Sequence, residues 1–396
     1  MKLFTISEQV GAGLPLLQPK GMLLRERIEN YLWQLHRDKG YERVWTPHIA
    51  RLDLYEQSGH AAKFGDELFR VQGKEDKFIM KPMNCPHHMQ IFADNQFSYK
   101  ELPIRYFEPA TVYRDEKSGQ LSGLTRVRAI TQDDGHLFCR VDQIESEVAS
   151  IVEIIREFYA TMGMLGEFWV SLSVRSDQDR EHYLGADEIW EKAENALEEA
   201  AKANDLPYRR VEGEAAFYGP KLDFQFKDVL DREWQLATIQ CDFNLPERFD
   251  LTYVNEEGEK ERPVVIHRAI SGSLERFLGI MIEHFGGRFP FWLAPEQVRI
   301  LTVNNKEPVL AYARKITSVL ENNPHNNPLK HNYLVVKTDA NAESLGKKIR
   351  AAELEKIPLM IIVGPRDVEE EQVSLRTEAG EEKIPLSRLA EFVRGL

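Results

Sequence analysis

From Arg114 to Phe138 the chain reads RDEKSGQLSGLTRVRAITQDDGHLF. Strand side chains alternate in direction, so from Leu124 onward Arg126, Arg128, Ile130, Gln132, Asp134 and His136 would share one face. Thr125, Val127, Ala129 and Leu137 would take the other. The first face is chemical: guanidinium groups at one end suit phosphate or carboxylate oxygens, and an Asp with a His at the other suits a hydroxyl, an amine or a metal. At ~3.3 Å per residue, Ile130 to His136 covers roughly 20 Å. The plainer alternative is an antiparallel strand with one solvated polar face.

A second group of chemical residues lies in RPVVIHRAISGSLERFLGIMIEHF, residues 262–285. Val264 to His267 is expected to be a strand. Ser273 is expected to cap a helix whose Leu274, Phe277, Leu278, Met281 and Ile282 face a core. Arg276 then falls in the first turn, where helix amides and a guanidinium together suit a terminal phosphate. It could equally be an arginine that covers neighbouring apolar surface. Candidate metal ligands are Cys85 in KPMNCPHH, His136 and His267, with His87 and His88 as rivals. Three such ligands leave coordination positions open for a substrate. No CxxC pair is present, so spacing alone does not select them.

The elements that must position these groups follow from periodicity. Residues 22–39 place Met22, Leu23, Ile28, Leu32 and Leu35 at helical spacing, and Gly40 closes the helix before a strand over 42–45 and Pro47. Amphipathic helices are expected over 143–165 and 186–204, around the strand FWVSLSV at 168–174, with the loop 115–123 as a hairpin turn. From Val298 the pattern alternates: strand RILTV, helix 307–320, strand YLVVK, helix 343–355, strand LMIIV, then a hairpin and a last helix. Those are the marks of a small α/β domain. The boundary is placed in the Pro and Trp cluster at 291–297, giving domains 1–295 and 296–396, with a polar loop ENNPHNNP at 321–328. The whole is expected to be α+β.

The 396 residues, 42% hydrophobic and 29% charged, describe an ordinary globular chain. No apolar run reaches the ~20 residues of a membrane span, and MKLFTISEQV lacks the marks of a signal peptide, so a cytoplasmic protein without membrane partners is expected. Three cysteines cannot build a disulfide framework. A net charge of −13 argues against a sequence-blind polyanion binder, and no DNA partner is expected.

The proline-terminated strand at Pro47, the Arg114-x-Glu116 segment and GSLERF resemble motifs 1, 2 and 3 of class II aminoacyl-tRNA synthetases. KPMNCP, TQDDGHLF, EAAFYGPKLDF and VVIHRAISGSLERF resemble the threonyl-tRNA synthetase family in particular, from about Leu14 to the C-terminus. The resemblance implies an antiparallel-sheet catalytic domain followed by an α/β anticodon-binding domain. It also implies threonine–tRNA ligase activity, in which ATP and L-threonine give threonyl adenylate, AMP-forming, and then threonyl-tRNA(Thr). It makes Cys85, His136 and His267 ligands of one zinc per subunit that binds the amino acid. Asp134 becomes the acceptor for the threonine hydroxyl, with Gln132, Tyr218 and Met83 around it. Arg114 would bridge carboxylate and α-phosphate, Glu116 and Ile130 would flank adenine, Arg126, Gln235 and Ser273 would touch the nucleotide, and Arg276 the γ-phosphate. Lys221 and His60 join Arg114 and Arg276 as implied catalytic residues, His60 near the ribose in the transfer step. Mg²⁺ would accompany ATP, and motif 1 implies a homodimer.

Some positions depart from the family pattern. Ile130 stands where an aromatic usually stacks on adenine, CPHH replaces CPGH so that His87 stands for glycine, and Leu236 with Ala237 alters the pocket. In the C-terminal domain Asn341 matches an anticodon-side residue, but Glu378 falls where a basic residue often follows Arg376. Bacterial members usually carry N-terminal editing domains ahead of the core, so a short form that also forms seryl-tRNA is expected. The alternative function is a free-standing amino acid adenylating enzyme without tRNA charging.

Overall fold

The computed structural model describes residues 1–322 and 333–396, so most of the polar loop read at 321–328 lies outside the described residues. The fold is α+β, built on an eight-stranded sheet and a five-stranded sheet with three small sheets beside them. Two compact units divide the chain. One comprises 6–15 and 31–280, and the other 1–5, 16–30 and 281–396.

The first unit is organised by the eight-stranded sheet. Its order is Tyr208–Glu212, Phe168–Val174, Lys221–Lys227, Glu233–Asp242, Val264–Ala269, Ala129–Cys139, Ile104–Tyr113 and Glu42–Arg43. Only the two edge strands pair in parallel; the six between them are antiparallel. The strand expected to start at Leu124 begins at Ala129 instead. The residues before it turn locally, with Thr125 N donating to Ser122 O and Arg126 N also to Ser122 O, which satisfies the backbone without a strand partner. From Ala129 the alternation holds: Thr131 and Asp133 are buried on one side, while Ile130, Gln132 and Asp134 are half-buried on the other.

Helices close over the sheet. Ile144–Thr161 buries Val148, Ile151, Val152, Ile155, Phe158 and Tyr159, the stripe that its periodicity dictates. Tyr159 stacks on Phe226 at 3.8 Å, and Phe158 lies 5.2 Å from Phe277 of the helix Leu274–His284. Tyr159 also donates its hydroxyl to Ile270 O at 2.9 Å. Aromatic packing thus holds the segment that leads into the helix start bearing Arg276.

The second unit carries the five-stranded sheet in the order Val336–Asp339, Val298–Thr302, Leu359–Val363, Gln372–Thr377 and Gly380–Pro385, the first three parallel and the hairpin antiparallel. Its first strand sits three residues beyond the start of the expected YLVVK, and a short helix Pro365–Glu369 that periodicity did not reveal precedes the hairpin. Glu355 accepts from Arg299 at 3.0 Å and from Lys20 at 2.5 Å. Arg376 is held by Glu381 and Glu353 at 2.5 and 2.8 Å, and Glu378 faces Arg288 at 3.5 Å. Among the described residues, no helix is long and apolar enough to cross a membrane.

Phe226, 1% exposed and stacked on Tyr159, tests the aromatic layer. Phe226→Ala is expected to cost about 3–5 kcal/mol, read as a lower midpoint in chemical denaturation followed by tryptophan fluorescence.

Candidate active site

Strand pairing sets His136 directly opposite His267, and in that register His136 Nε2 and His267 Nδ1 come within 3.0 Å. The third donor arrives on a different element. Cys85 opens the helix Cys85–Ala93, where Pro86 suits the first turn because its missing N–H has no acceptor there to lose. The donor atoms of Cys85, His136 and His267 all lie within 4.8 Å of one another, and all three residues are buried. One sulfur and two imidazole nitrogens are a donor set that fits zinc.

The outward nitrogens of both imidazoles are occupied. His267 Nε2 meets Asp242 Oδ2 at 2.9 Å, and His136 Nδ1 meets His88 Nδ1 at 2.8 Å. Partners of this kind orient a ligating imidazole and fix which nitrogen keeps its lone pair. Burial, reinforced by Asp134 and Asp242, pushes the Cys85 thiol well up, and burial likewise pushes His136 far below its ordinary value. A cation among them would favour the Cys85 thiolate, and an imidazole held neutral is the form that ligates a metal.

The expected amino-acid pocket borders this cluster. Asp134, which burial raises, has its carboxylate 3.7 Å from His136 Nδ1. Tyr218 tilts over His267 with 5.1 Å between ring centroids. Its position depends on Gly219: a Cβ there would lie 2.2 Å from the Cys241 carbonyl oxygen, so only glycine lets the two backbones approach so closely. Met83 receives the Arg114 guanidinium at 3.0 Å through its sulfur, and Arg114 lies over the Phe64 ring at 4.8 Å. Gln132 bridges to Ser273 across the two chain segments.

Cations gather farther along. Arg126 pairs with Glu116 at 2.5 Å, and Arg276 donates from Nε to Thr125 O at 3.0 Å. Ser273 caps the helix as expected, its Oγ accepting from Arg276 N at 3.2 Å. Burial and the neighbouring Arg126 both work against the charge of Arg276, which leaves a positive field suited to an anion. Lys221 pairs with Asp223, which also accepts from Gln235 at 2.7 Å and Thr238 at 2.6 Å. Ile130 stands half-buried on the same strand face.

His60 is brought to the metal cluster. Its Nε2 is 3.4 Å from Cys85 Sγ and its Nδ1 2.8 Å from Ser58 Oγ, with burial and then His267 lowering it to about 3. Of the rival ligands, His87 turns away to the Tyr55 hydroxyl at 3.3 Å, whereas His88 sits behind His136. Sequence reasoning missed Glu108, Asp242, Asp133 and Asp223. Glu108 faces Asp134 across the strand pair and Asp242 is two positions from the residue opposite His267, relations that appear only once register is known. Asp133 accepts from the backbone of Ile270 at 2.7 Å and Ser271 at 3.0 Å, and its partner Arg268 is sandwiched by Tyr41 and Phe107.

Residues 69–285 match the tRNA synthetase class II core domain (G, H, P, S and T), and residues 297–396 match an anticodon binding domain. The chain is 48% identical over 384 residues to the threonine–tRNA ligase of Synechococcus elongatus, covering 95% of this chain and 61% of that protein. It is 47% identical over 386 residues to that of Flavobacterium johnsoniae, covering 97% and 58%. It therefore spans about three fifths of the length of these curated relatives. The crystal structure of the RNA binding domain of threonyl-tRNA synthetase from Cryptosporidium parvum superimposes with a TM-score of 0.90 at 34% identity, covering 99% of this chain and 95% of that one.

Glu108 yields a pH test. Burial would raise its carboxyl, but the hydrogen bond to His88 and the charge of Lys81 prevail and hold it at about 2 against an ordinary 4.5. A depressed carboxyl stabilises fully above its unfolded value, and that contribution is lost as pH falls through the folded one. Unfolding free energy should thus drop by up to ~3 kcal/mol from this group as pH falls from 4.5 toward 2. Urea denaturation across that window checks it, and Glu108→Gln should remove this share of the slope.

Proposed function

We propose, from the premise that this chain belongs to the class II aminoacyl-tRNA synthetases and within them to the threonyl-tRNA synthetase family, that it activates L-threonine with ATP and transfers it to the 3′ end of tRNA(Thr). The observation that carries this reading is the buried Cys85, His136 and His267 trio, with Asp134 3.7 Å from His136 and Arg114 against Met83 beside it. Cys85, His136 and His267 would hold zinc, which when bound supplies a Lewis-acid seat for the amino and hydroxyl groups of threonine.

The chain's own residues do the remainder by position and charge. Asp134 accepts the threonine hydroxyl hydrogen, with Gln132, Tyr218 and Met83 bounding the side chain. Valine offers no hydroxyl; serine offers one and loses a methyl contact worth ~1–3 kcal/mol. Arg114 stands between that pocket and the nucleotide, where its guanidinium offsets charge on the carboxylate and the α-phosphate as the mixed anhydride forms and pyrophosphate leaves. Arg276, at a helix start, takes the γ-phosphate, and Mg²⁺ would accompany the phosphates. Arg126, Lys221, Gln235 and Ser273 border the nucleotide, with Glu116 and Ile130 at the base. His60, near Cys85, is the candidate residue at the ribose in the transfer step.

The match to an anticodon binding domain over 297–396 favours tRNA charging over free-standing adenylation. Trp45, 73% exposed, and Ile49, 41% exposed, flank Pro47 where the chain runs from the strand Glu42–Arg43 to the strand Ile49–Arg51, and support a homodimer through this segment. Three buried free cysteines support a reducing, cytoplasmic setting.

Amino-acid-dependent exchange of pyrophosphate into ATP tests this function. Exchange should be strongest with threonine, about 10- to 200-fold weaker in kcat/KM with serine, near background with valine, and lost on zinc removal. Exchange with no amino acid would refute the reading. Arg276→Ala should lower exchange at least ~100-fold, as expected for a transition-state charge contact.

A further inference from the structure

Two buried imidazole nitrogens that are both lone-pair acceptors cannot hydrogen-bond each other, yet His136 Nε2 and His267 Nδ1 stand 3.0 Å apart. Which of them carry protons is decided by what lies behind. For His267 this is Asp242, whose Oδ2 meets Nε2 at 2.9 Å while its Oδ1 accepts from Asn244 N and Leu245 N at 2.8 and 2.9 Å. A carboxylate only accepts, so Nε2 donates and Nδ1 is left bare.

For His136 the partner is another imidazole, His88, and behind His88 lies Glu108 at 3.1 Å from Nε2. Glu108 is 3% exposed and ringed by donors: Thr46 N at 2.9 Å, Thr46 Oγ1 at 3.0 Å, Asn84 Nδ2 at 2.8 Å and the Lys81 ammonium at 3.8 Å. It therefore stands as a pure acceptor. His88 Nε2 has two neighbours, Glu108 Oε2 at 3.1 Å and Asn84 Nδ2 at 3.0 Å; that amide already donates to Oε2 at 2.8 Å, and a lone pair facing the carboxylate would be repelled, so His88 donates from Nε2 and its Nδ1 is a lone pair. His136 Nδ1, 2.8 Å away, must donate to that lone pair, and His136 Nε2 is left bare toward Cys85 and His267. A carboxylate one residue farther back than at His267 thus gives the same result.

We infer that Glu108 and His88 form a proton-fixing relay behind His136, positioning residues that hold its Nε2 unprotonated and aimed at the metal seat. The inference rests on the zinc reading of Cys85, His136 and His267. It also gives the segment KPMNCPHH a second role, since Lys81, Asn84 and His88 build the relay on the same turn of chain that delivers Cys85. Thr46, next to Pro47, reaches the same carboxylate.

The test uses the full chain and two measurements independent of aminoacylation. The first is zinc affinity by competition with a chromophoric chelator, for the unmodified protein and for Glu108→Gln, whose amide keeps the shape but cannot accept at both positions. The relay predicts ~10- to 100-fold weaker zinc binding in the variant. The second is the ¹⁵N imidazole spectrum of the unmodified zinc-loaded protein, expected to show His136 protonated at Nδ1 and metal-bound at Nε2, and His88 protonated at Nε2. If the unmodified protein binds no zinc, the metal reading fails and the relay with it. If it binds zinc and Glu108→Gln matches it within twofold, or if His136 ligates through Nδ1, the relay alone is overturned. Should the variant not fold, the tautomers decide.

Discussion

The register between the strands Ala129–Cys139 and Val264–Ala269 is the constraint on which the site depends. Because His136 and His267 are direct cross-strand partners, their rings converge without help from any loop. A slip of one residue would send one ring to the opposite face of the sheet, and with it Asp134 or the contact to Asp242. The helix bearing Cys85 then needs only to deliver one sulfur to a point already defined. Rigid elements hold all three donors, the condition under which a metal can select between substrates that differ by one group.

The same strand binds the two halves of the pocket into one piece. Asp134 faces His136, while its neighbour Asp133 points the other way and accepts the backbone amides of Ile270 and Ser271. Arg268, wedged between Tyr41 and Phe107, secures Asp133 from below. The helix start that carries Ser273 and Arg276 is thereby pinned one residue away from the group proposed to take the substrate hydroxyl. The distance from Asp134 to the helix start at Ser273 is set by a backbone, not by flexible side chains. A reaction driven by positioning and charge needs such a frame.

Much of this was legible in the sequence because its signals are local. Period-two alternation marked Ile130, Gln132 and Asp134 as one face, the serine at 273 marked a helix start, and the strand Phe168–Val174 has the predicted limits. What failed was also local: charges at Arg126 and Arg128 continue the alternation by type, although the backbone there turns on itself. The family resemblance singled out the candidate ligand trio, which no spacing could reveal because its members lie far apart in the chain. Glu108, Asp242 and Asp223 remained invisible for the opposite reason. An acidic residue on a strand has no signature that separates a solvated side chain from one aimed at a partner on the next strand. His88, visible only as a rival ligand, needed the third dimension to become the residue behind His136.

Gly219 has a consequence for adaptability. Tyr218, which leans on His267, is carried by a segment whose backbone lies against the carbonyl of Cys241, with no room for even a methyl group between them. That wall of the pocket is inelastic: its position is set by two main chains in contact, and exchanging side chains cannot move it outward. Met83 forms the opposite kind of wall, an unbranched side chain with several torsions free to turn. Any drift of this scaffold toward a bulkier amino acid would therefore have to proceed from the methionine side, and in giving way there it would loosen the sulfur contact that steadies Arg114. On the proposed function, breadth of substrate and strength of activation would be coupled through one thioether.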